Sequence, residues 1–112
     1  MESKAADMLS ALGHSGRLAI YRLLVKAGPD GVAAGEIARR LSILPNTLSS
    51  SLNVLSHSGL IVSRREGRSI FYAADFVAMG GLLGFLLDDC CGGAPQVCAP
   101  IAKALAKAEL CR

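Results

Sequence analysis

No segment of the sequence is expected to enter or cross a membrane. Its N-terminus, Met1-Glu2-Ser3-Lys4-Ala5-Ala6-Asp7, has no apolar stretch behind a basic start, so no secretory signal is expected. The longest uncharged apolar-rich run, Phe76 to Leu87, falls short of the ~20 residues a spanning helix needs and contains three glycines. No internal repeat or low-complexity linker interrupts the sequence, and no Cys-x-x-Cys pair supplies the usual spacing of a closed zinc site. Histidine is scarce, with only His14 and His57. A cytosolic setting is the resulting expectation. There the four cysteines would stay reduced, as ligands or redox groups rather than a disulfide framework.

What is present points to a folded helical domain. At 112 residues the chain fits one domain, and its apolar fraction of 52% excludes wholesale disorder. A helical chain this short often covers its remaining apolar surface by dimerising. The net charge of +3 favours an anionic partner only weakly, so the location of the charge matters more than the sum.

Periodicity predicts a helix over Ser3 to Leu12, with Ala6, Leu9 and Leu12 at helical spacing and Gly13 as a stop. Ser15 is placed to cap a second helix to about Ala27, with Leu18, Tyr21, Leu24 and Val25 on one face. Gly28-Pro29-Asp30-Gly31 breaks it. Two helices then follow closely, Ala33 to Leu41 and Pro45 to Ser58. In the first, Ile37, Ala38 and Leu41 face inward; in the second, Leu48, Leu52 and Leu55 form the buried stripe. Pro45 suits a first helical turn, where its missing N–H would have no partner in any case. Only Ser42-Ile43-Leu44 separates the two, the length of a helix-turn-helix turn.

After Gly59 the period switches to that of strands, over Leu60 to Glu66 and Ser69 to Ala73, joined at Gly67. Helix returns from Asp75 to about Asp89, a loop spans Cys90 to Ala99, and Pro100 opens a last helix to Leu110. The fold expected is therefore mainly α with a β-hairpin: a winged helix-turn-helix in the order of four helices, two strands and two helices. Residues 1–89 would form the DNA-binding and dimerisation domain and residues 90–112 a C-terminal loop and short helix.

Such a fold binds double-stranded DNA with its second motif helix in the major groove. The polar face of Pro45 to Ser58 carries Asn46, Thr47, Ser49, Ser50 and Asn53, suited to hydrogen bonds with bases or phosphates and, for Thr47, to a thymine methyl. It bears no arginine. Positive charge lies instead at the hairpin, in Arg64, Arg65 and Arg68, offset by Glu66. The wing is therefore expected to supply much of the electrostatic affinity.

The chemistry-bearing stretch is Asp88-Asp89-Cys90-Cys91-Gly92-Gly93-Ala94-Pro95-Gln96-Val97-Cys98. Adjacent cysteines bridge each other only through a strained ring. As thiolates, Cys90 and Cys91 suit one soft centre, and the Gly-Gly-Ala-Pro segment lets Cys98 return as a third ligand. Three sulfurs without imidazole suit trivalent arsenic or antimony, whereas zinc wants a fourth ligand. Cys111 follows a whole helix and is read as a non-ligand. Asp88 and Asp89 would raise nearby thiol pKa values, which argues against a catalytic thiolate. His14 and His57 are read as structural or solvated, and Met8 and Met79 as core or interface. Gly80, Gly81 and Gly84 are costly inside a helix; close approach of another helix, as in a dimer, would offset that cost.

Taken together, Leu12-Gly13-His14-Ser15-Gly16-Arg17-Leu18-Ala19-Ile20, Leu52 to Ile61 and Arg64 to Tyr72 resemble the ArsR/SmtB family of bacterial metal-responsive repressors over residues 5 to 90. The resemblance implies a homodimer through the first and fifth helices, a palindromic operator, and loss of DNA affinity when metal binds. Val32-Ala33-Ala34-Gly35-Glu36 stands where the best-known arsenic sensors of the family carry Cys-Val-Cys. The fifth helix offers Asp75, Asp88 and Asp89 but none of the histidines of zinc and nickel sensors. Cys90, Cys91 and Cys98 resemble the variant arsenic-sensing branch, with arsenite or methylarsenite, and antimony(III) besides, as inducer. Ser50 and Ser51 replace basic residues usual in the family. The rival expectations are a thiol redox sensor on the same scaffold and a metalloid carrier without DNA specificity.

Overall fold

The computed structural model describes residues 2–88 and 99–104. Within residues 2–88, five helices and three strands run in the order α1 (Glu2–Leu12), α2 (Ser15–Ala27), β1 (Val32–Ala33), α3 (Ala34–Leu41), α4 (Pro45–His57), β2 (Ile61–Glu66), β3 (Ser69–Ala74) and α5 (Phe76–Leu87). Residues 99–104 are helical as well, in keeping with the helix expected from Pro100. The winged helix-turn-helix is present, with one addition. β1 pairs antiparallel with β3, Val32 opposite Tyr72 and Ala33 opposite Phe71, so the sheet order is β1-β3-β2. Two residues are too few to show a strand period, and the pairing that makes them a strand comes from about forty positions later.

The chain divides into two compact units, Met1–Leu82 and Leu83–Arg112. The core of the first is built on Ile20 and Leu24 of α2, Ile37 of α3, Leu55 of α4 and Leu60, all fully buried. In the second unit Leu83 and Leu86 are exposed.

Three local expectations are corrected. In α1 the buried residues are Ala5, Met8 and Ala11, while Ala6 and Leu9 are exposed and Leu12 is half-buried. Both stripes satisfy helical spacing, and the one with the smaller side chains lets α1 lie close against α2 and α4. Leu9 is left 45% exposed. In α2 the cap is His14, not Ser15: its Nδ1 accepts from the Gly16 and Arg17 N–H groups at 3.1 and 3.4 Å, satisfying two otherwise orphaned donors. On the same helix Leu18 is exposed and Ile20 takes its place in the core.

Arg17 closes the preceding helix from outside. Its Nε donates to the Ala11 carbonyl at 2.6 Å and its Nη2 to Ser10 at 3.4 Å, placing a cation on the C-terminal carbonyls of α1.

Candidate nucleic-acid interface

α3 and α4 form the helix-turn-helix, and their connection is a tightly determined turn. Ser42 adopts φ 53°, ψ 48°, in the left-handed region. Its N–H donates to the Arg39 carbonyl at 3.4 Å, and the Ile43 N–H reaches back to Ala38 at 3.0 Å. This is the Schellman pattern, which ends a helix by satisfying its last carbonyls. α4 ends in the same way: Gly59, at φ 85°, donates to Ser56 and Leu60 donates to Leu55, each at 3.1 Å. α4 is thus bounded by Pro45 at its start and a glycine after its end.

Between these ends α4 is amphipathic in the expected sense. Leu48, Leu52 and Leu55 are buried. Asn46, Thr47, Ser49, Ser50 and Asn53 are all exposed, on the side away from that stripe. Ser51 is buried at 8% exposure, so the two adjacent serines differ: Ser50 faces solvent and Ser51 the core. His57 Nδ1 lies 2.8 Å from the Asn53 carbonyl, tying the end of the helix back to its last exposed asparagine.

The hairpin projects from this unit. Ile61 is the single buried residue of β2, whereas Ala73 and Ala74 anchor the far end of β3. The loop between Glu66 and Ser69 has two residues, Gly67 and Arg68, with φ 62° at Gly67 and no positive φ at Arg68, the pattern of a type II′ hairpin turn. A projecting two-stranded ribbon needs such a turn to match its twist.

The three hairpin arginines are not equivalent. Side chains alternate along a strand, so Arg64, opposite Phe71, and Arg65, opposite Ile70, emerge on opposite faces of the ribbon. Arg64 is occupied within the chain. Its Nη2 donates to the Asp30 carbonyl at 3.0 Å, its Nε pairs with Glu66, and its guanidinium lies 5.1 Å from the Phe71 ring centroid. Arg65 and Arg68 are exposed and make no ion pair among the described residues. The arginine cluster expected of the sequence is therefore one structural residue and two available cations.

A second basic feature lies on α3 and escaped the sequence reading. Glu36 pairs with both Arg39 and Arg40, the latter at 2.7 Å. Hydrogen bonds from the two guanidinium groups hold the Glu36 carboxyl well below its ordinary value, from 4.5 to about 2. The signal was available as Glu-x-x-Arg-Arg, the i, i+3, i+4 spacing on one helix. Two cations and one anion leave net positive charge on α3, close before the turn into α4.

At the start of α5, the Asp75 carboxylate accepts from the Ala78 N–H at 3.0 Å, so Asp75 caps the helix instead of beginning it. Burial, and then the Asp75 charge, push the Tyr21 hydroxyl up to about 12.

Cys90, Cys91, Cys98 and Cys111 lie outside the described residues, as does Asp89; Asp88 is exposed. Among the described residues, no group of three or more His, Cys, Asp or Glu side chains is placed to hold a metal ion, and no helix is long and apolar enough to cross a membrane.

Residues 12–64 match a family model described as a helix-turn-helix domain. The chain is 33% identical over 84 residues to the nodulation protein NolR of Rhizobium meliloti, covering 75% of this chain and 66% of NolR, just under two thirds of that relative's length. It is 31% identical over 88 residues to the HTH-type transcriptional regulator YgaV of Escherichia coli K12, covering 79% of this chain and 87% of YgaV. Among solved structures, the homodimeric winged helix-turn-helix DNA-binding domain Mb0332 of Mycobacterium bovis, described as a possible ArsR-family regulator, has a TM-score of 0.61 at 29% identity, covering 78% of this chain and 81% of that one. An ArsR-like regulator from Rhodococcus sp. RHA1 has a TM-score of 0.66 at 24% identity, covering 95% and 90%, a likeness of fold.

Proposed function

As the chain belongs to the ArsR-like winged helix-turn-helix transcriptional regulators, we propose that it is a homodimeric repressor released from its operator by trivalent arsenic. The observation that carries DNA binding is the exposed face of α4, Asn46, Thr47, Ser49, Ser50 and Asn53, displayed beside a projecting wing with two available cations, Arg65 and Arg68. Short polar side chains on a helix read base edges, and the arginines neutralise phosphate.

Dimerisation is supported by apolar surface left exposed among the described residues. Leu9 on α1 is 45% exposed, and Val77 at the start of α5 is 87% exposed. Around Gly80 and Gly81 nothing described lies within 4 Å of where a side chain would begin, so no contact among the described residues accounts for glycine in a helix there. Close approach of a second copy would.

Arsenic sensing rests on the cysteines of the sequence. Cys90, Cys91 and Cys98 put three thiols within nine residues, directly after the helix assigned to the dimer contact. Arsenic(III), as arsenite or methylarsenite, takes three sulfur ligands and would pin that segment, and antimony(III) shares the chemistry. Linkage requires DNA to weaken arsenic binding by the factor by which arsenic weakens DNA binding, ordinarily about 1–3 kcal/mol.

The test is operator binding by fluorescence anisotropy, with the operator first selected from random duplexes. Arsenite should release the wild type and Cys111→Ser, and leave Cys90→Ser, Cys91→Ser and Cys98→Ser bound. Release of those three variants at wild-type arsenite concentrations would show the sensing site to be wrong. Thiol-reversible release by peroxide, with no response to arsenite, would replace it by a redox sensor.

A further inference from the structure

Leu44 is the N-cap residue of α4 and is 74% exposed; of the large apolar side chains described, Val77 alone is more so. A lone exposed leucine is ordinary on a protein surface, but this one stands where a helix prefers serine, threonine, aspartate or asparagine. α2 and α5 each have a side chain doing the capping, His14 and Asp75, which accept from backbone N–H groups of the first turn. Leu44 makes no such bond. At this one position α4 forgoes a cap and holds an apolar group in water.

The leucine is also firmly placed. Its backbone lies at φ −64°, ψ 143°, the extended region to which a following proline confines its neighbour. Its carbonyl accepts from the Leu48 N–H at 2.9 Å, and the Schellman turn through Ser42 and Ile43 fixes the chain before it. Little backbone freedom is left to lose when a partner covers the side chain. Pro45, Asn46 and Thr47 are exposed as well and lead on to Ser49, Ser50 and Asn53. Leu44 therefore forms the apolar leading end of an otherwise polar face.

Helix-turn-helix proteins touch base edges with the N-terminal residues of the second motif helix. An isobutyl group neither donates nor accepts hydrogen bonds, so phosphates and the polar atoms of the bases offer it nothing. The apolar group that B-DNA presents in its major groove is the C5-methyl of thymine. We propose that Leu44 is a specificity-determining residue that packs on a thymine C5-methyl of the operator. The proposal rests on the reading of α4 as the DNA-reading helix, and adds to it the base that its leading end selects.

The experiment measures binding of the full-length chain to the operator selected from random duplexes, with each thymine replaced in turn by deoxyuridine, which lacks only that methyl. At one thymine of each half-site the wild type should lose about fourfold per methyl, the effect of one buried carbon. Leu44→Ser should bind the unmodified operator more weakly and be indifferent to deoxyuridine at that same position, the coupling a double-mutant cycle reads. The same substitution supplies a capping hydroxyl and should raise the urea midpoint, which separates a lost contact from a damaged fold. Methyl sensitivity that persists in Leu44→Ser, or that appears nowhere in the wild-type scan, overturns the proposal. A dimer weakened by Leu44→Ser in sedimentation makes Leu44 an interface residue and overturns it too. A wild type that binds no duplex overturns the reading of α4 itself, whereas duplex binding without the coupling overturns the role of Leu44 alone.

Discussion

The guanidinium of Arg64 lies 5.1 Å from the centroid of the Phe71 ring, its cross-strand partner in the wing, and at the same time donates to the carbonyl of Asp30 in the turn before β1. One side chain therefore fixes the wing to the body of the domain. A charge that is already engaged is a poor phosphate ligand, whereas Arg65 and Arg68 are poised to act as such. Arg65→Gln and Arg68→Gln should each flatten the dependence of log K on log salt by about 0.9 for every phosphate that is no longer neutralised. Arg64→Gln should leave that slope unchanged and lower stability by about 0.5–1 kcal/mol, the scale of an exposed cation–π contact with surface pairing. Salt titrations of operator binding alongside thermal melts separate the two roles; a flattened slope in Arg64→Gln would make it a phosphate ligand.

Ser42 holds a left-handed conformation that L residues disfavour, because the turn between α3 and α4 leaves no other way to close both ends of the Schellman motif. Glycine has no Cβ to clash there. Ser42→Gly should stabilise the domain by about 0.5–1 kcal/mol, after the loss of some unfolded-state restriction, and should leave operator specificity unchanged. Denaturant midpoints check the first expectation, and a lowered midpoint would mean that the serine side chain contributes something to the turn.

How much of this was legible in the sequence depends on the range of the interactions. α4 was readable because Pro45, the Leu48-Leu52-Leu55 stripe and Gly59 are all local signals that agree. α1 was readable as a helix, with Met8 as a core or interface residue, but two apolar stripes satisfy the same spacing, and only its packing partners choose Ala5, Met8 and Ala11 over Ala6 and Leu9. β1 and the engagement of Arg64 depend on contacts between segments more than thirty residues apart, Val32 with Tyr72 and Arg64 with Asp30, which no periodicity reports. His14 as a cap was missed for a different reason: imidazole is an uncommon N-cap, and Ser15 beside it is a common one. The exposed polar set on α4 was fully readable, whereas the cysteine site falls on residues outside those described.

Glu36 gives the domain an acid-sensitive contribution. Arg39 and Arg40 hold its carboxyl at about 2, against 4.5 for the unpaired group, so the unfolded chain takes up a proton first as pH falls. The stabilisation is fully present above about 4.5 and disappears as pH falls toward 2. The difference in stability between wild type and Glu36→Gln should therefore be constant near neutral pH and shrink across that window. Urea titrations at a series of pH values measure it, and a difference that does not change with pH would show that the pairing contributes nothing to folding.

Tyr21 presents the opposite case, a polar group buried without a hydrogen-bond partner among the described residues. Its side chain is only 4% exposed, and its hydroxyl finds no hydrogen-bond partner among the described residues. Burial and the neighbouring Asp75 charge push it up to about 12, so the group is a neutral phenol throughout the ordinary pH range. A buried hydroxyl without a partner loses its water and gains nothing in return, while the ring keeps its apolar contacts. Tyr21→Phe removes the oxygen and preserves the ring, and is expected to stabilise the domain by about 1 kcal/mol. Equilibrium unfolding of the two proteins decides it. A destabilised Phe variant would mean that the hydroxyl does find a partner in the assembled protein, and a second copy packed against this region would be the first place to look for it.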